Sequence, residues 1–211
     1  MEYFEDRILI ATYMKRLYKM GLTTSTGGNI SRRVSDDFLL ITPSQKDKSA
    51  LKPYDICVAN FKGENLTPKF KCSMELGMHI AIYKQREDIN SICHAHPTFA
   101  STYSFTNKDI NSSLSGEMRA ICGEITKAEY ALMGTNELAD NVAEKVRKSN
   151  VVLLENHGAL TLGTNLCQAF ERMEILEKIA KSNFLLNILK GTKNLPAKDI
   201  DEIDELFGNR F

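Results

Sequence analysis

Three of the four histidines in this chain are spaced so that they could bind one metal ion. His94 and His96 flank Ala95, and His157 follows another apolar run further along the chain. Alternate side chains of a strand share a face, so we expect His94 and His96 to project side by side. Three imidazoles with an open fourth position are typical of a catalytic zinc site, whereas structural zinc usually takes four protein ligands and favours cysteine. The sequence therefore predicts a catalytic metal centre rather than a structural one.

Each of these histidines, taken alone, could instead satisfy hydrogen bonds in a partly buried strand or loop. The His-x-His pair, combined with a third histidine at another strand end, favours the metal interpretation. The fourth histidine, His79, lies one helical turn after Glu75 on the same face of a predicted helix. It could orient groups at the metal or simply pack in the core, and both interpretations stay open.

Glu75 falls in the first turn of that predicted helix, where the helix dipole favours its charged form. On the surface it would do no more than complement the dipole. Beside a metal it could act as a general base, with burial disfavouring the carboxylate and the cation favouring it. Its role depends on whether the fold brings it to the histidines.

Three turns rich in glycine and hydroxyl groups could form an anion site. Gly27 and Gly28 precede Asn29, and the backbone amides of flexible glycines can converge on an anion. Ser44 and Ser73 lie in two further turns, the second at a predicted helix N-terminus, where amide groups and the dipole favour a phosphate. A double glycine also occurs in ordinary turns, so an anion site is one of two interpretations of these residues.

The composition fits one domain and sets limits on its partners. The 211 residues, 43% of them hydrophobic, are enough for one sizeable core but not for a second full domain. Lys+Arg and Asp+Glu balance at 27 each, which argues against binding to nucleic acid or to an anionic membrane. The five cysteines are scattered and form no C-x-x-C pair, which predicts reduced thiols in the cytoplasm. The first residues resemble neither a signal peptide nor a membrane span.

Apolar periodicity predicts helices alternating loosely with strands around the candidate site. The predicted helices span residues 2–20, 73–86, 97–105, a segment capped by Thr135, and 165–190. The predicted strands span residues 38–42, 55–61, 89–96 and 151–154, and residues 23–31 are predicted to form a loop. A last short helix within 195–211 would dock on the body or on a neighbouring subunit. From there Phe207 or Phe211 could reach a neighbour's substrate, although ordinary packing is the more common role of such side chains.

Taken in order, these motifs resemble those of the class II aldolase and adducin family. The matching segments are Gly21-Leu22, Gly27-Gly28-Asn29-Ile30-Ser31, Ile41-Thr42-Pro43-Ser44, Ser73-Met74-Glu75, His94-Ala95-His96-Pro97, Tyr130, Gly134-Thr135-Asn136-Glu137-Leu138-Ala139 and Glu155-Asn156-His157-Gly158. The resemblance implies one α/β domain over residues 1–211, with a central, mainly antiparallel sheet flanked by helices. It also implies a homotetramer with active sites at subunit interfaces.

The resemblance further implies a zinc-dependent aldolase. Such an enzyme reversibly cleaves a ketose 1-phosphate to dihydroxyacetone phosphate and an aldehyde through an enediolate, with no Schiff-base lysine. Glu75 would be the acid/base. The implied zinc ligands are His94, His96 and His157, and the implied phosphate contacts are Gly28, Asn29, Ser44 and Ser73.

Three positions depart from the pattern of the family's aldolases. Met74 replaces the second of two consecutive serines before the glutamate, so one phosphate hydroxyl is missing. Gln45 stands where glycine is usual. The tyrosine that donates a proton in the aldolases has no match, because Ser115 occupies the ungapped position. Glu117, nearby, is the candidate substitute donor.

Three other interpretations stay open. Methylthioribulose-1-phosphate dehydratases and sugar-phosphate 4-epimerases belong to the same family. The epimerases usually carry aspartate where Glu75 stands, which favours an aldolase or a dehydratase, and Glu117 keeps the dehydratase in consideration. A non-catalytic adducin-like interaction module is less consistent with the sequence, because adducin heads have lost metal ligands that are present here.

Overall fold

One seven-stranded sheet forms the centre of the protein in the computed structural model, which describes residues 2–208. Its order is β3-β2-β1-β4-β7-β6-β5, and only β5 and β6 run parallel. The strands are β1 (Asn29–Arg33), β2 (Phe38–Ile41), β3 (Cys57–Asn60), β4 (Ser91–Ala95), β5 (Ile125–Ala128), β6 (Val151–Leu154) and β7 (Gly158–Gly163). The predicted α/β fold with a mainly antiparallel sheet is therefore confirmed.

Helices cover both faces of this sheet. They are α1 (Phe4–Lys19), α2 (Leu76–Gln85), α3 (Thr98–Ser104), α4 (Gly116–Cys122), α5 (Asn136–Lys145), α6 (Leu166–Leu189) and α7 (Ala197–Phe207), with a 3₁₀ turn at Pro53–Asp55. Alternate strand residues point to opposite layers. Ile30 and Leu40 pack with α1, α3 and α6, whereas Leu39 and Ile41 pack with α2 and α5.

Several predicted elements are confirmed at their ends. Thr135 caps α5 by accepting the Leu138 N–H, and Asn165 caps α6 by accepting the Gln168 N–H. Gly21 follows α1 with φ +70°, the left-handed conformation expected after a helix end.

The prediction for α2 is wrong at its start. Ser73 does not cap the helix, because α2 begins at Leu76 and Glu75 occupies the cap position. Residues 73–75 instead form a turn in which the Ser73 hydroxyl accepts the Glu75 N–H at 3.3 Å. Glu75 therefore lies at the helix boundary rather than within the first turn.

Part of the predicted loop over residues 23–31 is also wrong, since β1 begins at Asn29. This strand has a polar sequence, Asn-Ile-Ser-Arg-Arg, and it is recognisable only through its pairing with β2 and β4. The prediction also missed α4, β5 and β7. The glycine-bounded β7 has none of the period-two alternation that marks a half-exposed strand, because all six of its residues are buried.

The C-terminal helix α7 docks on its own subunit. It packs against α4, where Ile203 approaches Gly116 and Asp204 pairs with Arg119. This is the first of the two predicted placements, and Phe211 lies outside the described residues. Within residues 2–208, no helix combines the length and the apolar character needed to cross a membrane.

Candidate metal centre

Three adjoining strands of the sheet bring the predicted histidines together. His94 lies on β4, opposite Asn29 of β1 and Leu160 of β7. His96 follows the end of β4, and His157 lies in the turn between β6 and β7. One potential ligand atom from each histidine lies within 4.8 Å of the others, a separation that one ion could bridge.

Glycines allow the backbone to approach these imidazoles closely. A Cβ added at Gly27 would lie 2.9 Å from His96 Nδ1, and one at Gly158 would lie 2.6 Å from His96 Cδ2. At Gly28, where φ is +64°, it would lie 2.7 Å from the His94 carbonyl oxygen. Close packing against the histidine strand is thus one reason for these glycines, whether or not they also bind an anion.

The donor set fits a metal. Burial lowers the pKa of each of the three histidines to about 4, so their imidazoles are neutral at pH 7 and can offer a lone pair. His94 Nδ1 donates to the Ala159 carbonyl at 2.9 Å, which leaves Nε2 as the bare nitrogen. That buried Nε2 has no hydrogen-bond partner among residues 2–208, as expected of an atom that binds a metal.

Glu75 lies beside these imidazoles. Its carboxylate is buried, with Oε2 3.3 Å from His94 Nε2 and Oε1 3.6 Å from His157 Nε2. Asn29 Nδ2 donates to Oε2 at 2.6 Å, whereas Oε1 has no hydrogen-bond partner among the described residues. One carboxylate oxygen is therefore held by Asn29, and the other is open to a ligand.

The turns predicted to bind phosphate lie next to one another. Pro43 and Cys72 form an isolated β-bridge, in which Ser44 N donates to the Lys71 carbonyl at 2.9 Å and Ser73 N donates to the Thr42 carbonyl at 3.3 Å. Both serines are half-buried. The structure thus brings Ser44 and Ser73 onto neighbouring segments, and their contact with phosphate stays a prediction.

Asn29 has a role that the sequence did not indicate. Its amide donates to Glu75, as described, and its Oδ1 lies 2.5 Å from His79 Nε2. His79 is fully buried and also contacts Ser31 Oγ at 2.6 Å. The Asn29 side chain therefore links the Glu75 carboxylate to the buried His79 ring. A phosphate contact by Asn29 stays a prediction.

Lys48 is a further buried group near the predicted phosphate turns. Its Nζ donates to the Pro43 carbonyl at 2.8 Å, and its backbone N–H donates to the Ser25 carbonyl at 2.8 Å. Burial lowers its pKa to about 8. The charged run around it is typical of a solvated loop, so no local signal indicated this burial.

Glu117 is exposed on α4, a helix that packs against α6 and α7. Ser115, at the position of the missing tyrosine, caps α4 by accepting the Met118 N–H. Within the described residues, no contact joins Glu117 to the three histidines. Its role as a proton donor stays a prediction.

Comparison with known proteins identifies relatives over nearly the whole chain. The family profile for the class II aldolase and adducin N-terminal domain matches residues 8–184. The chain is 33% identical over 174 residues, 82% of its length, to L-fuculose phosphate aldolase of Methanococcus maripaludis, of which 93% is covered. It is 32% identical to 5-deoxy-D-ribulose 1-phosphate aldolase of Bacillus thuringiensis, over 96% of this chain and 95% of that protein. A solved structure of L-fuculose 1-phosphate aldolase superposes with a TM-score of 0.91 at 33% identity, covering 99% of this chain and 98% of the other.

Proposed function

Because the chain belongs to the class II aldolase and adducin family, we propose that it is a zinc-dependent aldolase that reversibly cleaves a ketose 1-phosphate to dihydroxyacetone phosphate and an aldehyde. The family is metal-dependent, and the aldolase relatives indicate a lyase. Identity of the metal as zinc, and of the substrate as a ketose 1-phosphate, is part of the proposal.

One observation carries this proposal: an unprotonated imidazole nitrogen and a carboxylate oxygen, both without a hydrogen-bond partner, lie on adjacent side chains. His94 Nε2 and Glu75 Oε1 are both buried and have no hydrogen-bond partner within residues 2–208. A buried polar atom without a partner is costly unless a ligand satisfies it. Three neutral imidazoles supply metal ligands, and the adjacent carboxylate supplies a base.

The assignments follow from these positions. His94, His96 and His157 would bind the zinc, which when bound supplies Lewis-acid stabilisation of the negative charge that develops on substrate oxygens. Glu75 Oε1 removes a proton from the hydroxymethyl carbon of dihydroxyacetone phosphate in the synthetic direction and returns it after cleavage. Asn29 holds the opposite oxygen, so the proton moves at one defined atom.

The phosphate would lie against Gly28 and Asn29, at the start of β1, and against the neighbouring turns that contain Ser44 and Ser73. The donors suited to an anion are the hydroxyl groups of Ser44 and Ser73 and the backbone amides around Gly28, because the Ser44 and Ser73 N–H groups already donate to backbone carbonyls. Met74 removes one hydroxyl from this set, and backbone amides remain. Glu117 is our candidate for the group that exchanges a proton with the aldehyde oxygen.

Assembly and location complete the proposal. We place the enzyme in the cytoplasm as a homotetramer with active sites at subunit interfaces. Large apolar side chains remain exposed on α1 and at the end of α6, which supports further burial in an oligomer. These side chains are Phe4, Ile8, Leu9, Phe184, Leu185, Ile188 and Leu189.

Release of dihydroxyacetone phosphate from a panel of ketose 1-phosphates tests the proposed reaction. The panel contains L-fuculose, L-rhamnulose, 5-deoxyribulose and methylthioribulose 1-phosphates, each with and without a chelator. We expect chelator-sensitive release from one member, abolished in His94→Ala and retained within a few fold in the control Gly191→Ala, where an added Cβ meets nothing within 4 Å. Zinc-loaded protein that releases none would contradict the aldolase and favour the dehydratase or epimerase.

A further inference from the structure

We propose that His79 is a positioning residue that fixes Glu75 through a series of hydrogen bonds. The series runs from Tyr83 through Ser31, His79 and Asn29, and every bond in it donates towards Glu75. The inference rests on the proposed function in that Glu75 is taken as the base. It gives a role to the buried side chains of Ser31, His79 and Tyr83, which are not predicted to contact the metal or the substrate.

The strand period and the helix period bring the five side chains of this hydrogen-bonded series together. On β1, Asn29 and Ser31 lie on one face of the strand because side chains alternate. Glu75 caps α2, and His79 and Tyr83 follow within the helix at steps of four residues, so the three side chains share one face. The polar side chains of β1 and α2 therefore alternate along the contact between the strand and the helix.

The contacts form an unbroken series. Tyr83 OH lies 2.9 Å from Ser31 Oγ, and Ser31 Oγ lies 2.6 Å from His79 Nδ1. His79 Nε2 lies 2.5 Å from Asn29 Oδ1, and Asn29 Nδ2 lies 2.6 Å from Glu75 Oε2. All five residues are buried, with 0–6% of each exposed.

The direction of each bond follows from the carboxylate. A charged carboxylate only accepts, so the Asn29 amide nitrogen must face Glu75, and its carbonyl oxygen must face His79. That oxygen also only accepts, so His79 Nε2 carries the proton. Burial, followed by the nearby His94, lowers the pKa of His79 to about 3, and the ring is neutral. His79 Nδ1 is therefore bare.

The remaining two bonds continue the same direction. Ser31 Oγ donates to the bare His79 Nδ1, and its own lone pair accepts from Tyr83 OH. Burial raises the pKa of Tyr83, which keeps the phenol protonated as a donor. Every donor in the series thus points towards Glu75.

The direction of these bonds determines whether the nitrogen or the oxygen of the Asn29 amide contacts the Glu75 carboxylate. An amide rotated by half a turn would set its oxygen against Glu75 Oε2 and its nitrogen against the His79 N–H, two repulsive contacts. His79 prevents that rotation as long as its proton stays on Nε2. Glu75 Oε2 is then held in place, and Oε1 stays free for the substrate proton. Buried networks of this kind could also serve stability alone, so the test needs a readout of orientation.

The tautomer of His79 is the direct readout. We would label histidine with ¹⁵N in the full-length zinc-loaded protein and identify the His79 ring by its loss in His79→Gln, since the chain has only four histidines. We expect a neutral ring protonated at Nε2 at pH 7. A ring protonated at Nδ1, or at both nitrogens, would overturn the proposed direction. This result does not depend on any turnover.

Ser31→Ala then separates positioning from packing. Removing the hydroxyl leaves His79 Nδ1 without its donor and loosens the ring, whereas the Nε2–H bond to Asn29 remains. We therefore expect the Nε2–H tautomer to persist and kcat to fall about tenfold to a hundredfold at little-changed KM. The matched control is Ser91→Ala, a buried serine on the neighbouring β4 whose hydroxyl has no hydrogen-bond partner within residues 2–208. There we expect the wild-type tautomer and kcat.

Two outcomes refute two different claims. Unchanged kcat in Ser31→Ala, or equal losses of kcat in Ser31→Ala and Ser91→Ala, would overturn the positioning role of His79. Absence of dihydroxyacetone phosphate turnover in the wild-type protein, with the Nε2–H tautomer observed, would instead refute the proposed function and leave the direction of the hydrogen bonds intact.

Discussion

Gln45 adopts a backbone conformation that favours glycine, and we expect Gln45→Gly to stabilise the protein. Its φ of +56° lies in the left-handed region, which costs an L-residue about 1–2 kcal/mol relative to glycine. The greater freedom of glycine in the unfolded chain offsets about 0.5 kcal/mol of this gain. The net effect is about 1 kcal/mol in the free energy of unfolding, which corresponds to about 2–4 °C in Tm for a chain of this size.

Urea denaturation and calorimetry measure this gain, and Gln45→Ala is the matched control. Alanine removes the rest of the exposed side chain but keeps the Cβ that causes the strain, so its stability should stay within about 0.5 kcal/mol of wild type. Because Gln45 follows Ser44, glycine should also open the predicted phosphate turn and lower KM for a ketose 1-phosphate. Equal stability of Gln45→Gly and Gln45→Ala would refute the argument from strain.

Three further predictions concern the metal, the C-terminal helix and a buried lysine. In Gly158→Ala the added Cβ would lie 2.6 Å from His96 Cδ2 and displace that ring, so zinc affinity measured by competition with a chromophoric chelator should fall by about tenfold or more. Asp204→Asn removes the pair with Arg119 and should cost about 0.5–1 kcal/mol at pH 7. The Arg119 hydrogen bond lowers the pKa of Asp204, so this cost should vanish as pH falls through the folded-state pKa, below 3.8. Burial lowers the pKa of Lys48 to about 8, so the unfolded chain binds more protons between pH 8 and 10.5, and wild-type stability should rise relative to Lys48→Met across that window.

Each of these predictions has a control and a result that contradicts it. Gly191→Ala should leave zinc affinity unchanged, and equal affinity in Gly158→Ala would show that His96 does not bind the metal at this position. A cost of Asp204→Asn that persists at a pH where the Asp204 carboxyl is protonated in the folded state would show that the carboxylate acts without its charge. Lys198→Met, at a lysine whose side chain is 84% exposed, should show no pH-dependent difference from wild type. The same flat profile in Lys48→Met would exclude a lowered pKa.

The sequence could predict the histidine cluster because its pattern is local. His94 lies on β4 and His96 directly follows its end, so the period of the extended backbone places them on one side without information about distant residues. The helix that carries Glu75 could also be predicted, although its start is two to three residues later than expected.

The rest depends on contacts that link distant parts of the chain. β1 has a polar sequence, and only its position between β2 and β4 makes Asn29 and Ser31 interior residues. The burial of Lys48 likewise requires the Pro43 and Ser25 carbonyls, to which it is bound. The prediction for Glu117 rests only on its proximity in sequence to Ser115, which gives no information about where α4 packs.

Exchange of the hydroxymethyl protons of dihydroxyacetone phosphate with deuterium from the solvent is the most direct test of the account. It needs no knowledge of the aldehyde and reports the proton that Glu75 is proposed to remove. We expect zinc-dependent exchange in the wild-type protein, followed by ¹H NMR, and its loss in Glu75→Gln, which keeps the shape of the side chain and should still bind zinc. Exchange that continues in zinc-loaded Glu75→Gln, or that survives removal of the metal from the wild type, would contradict the proposed site.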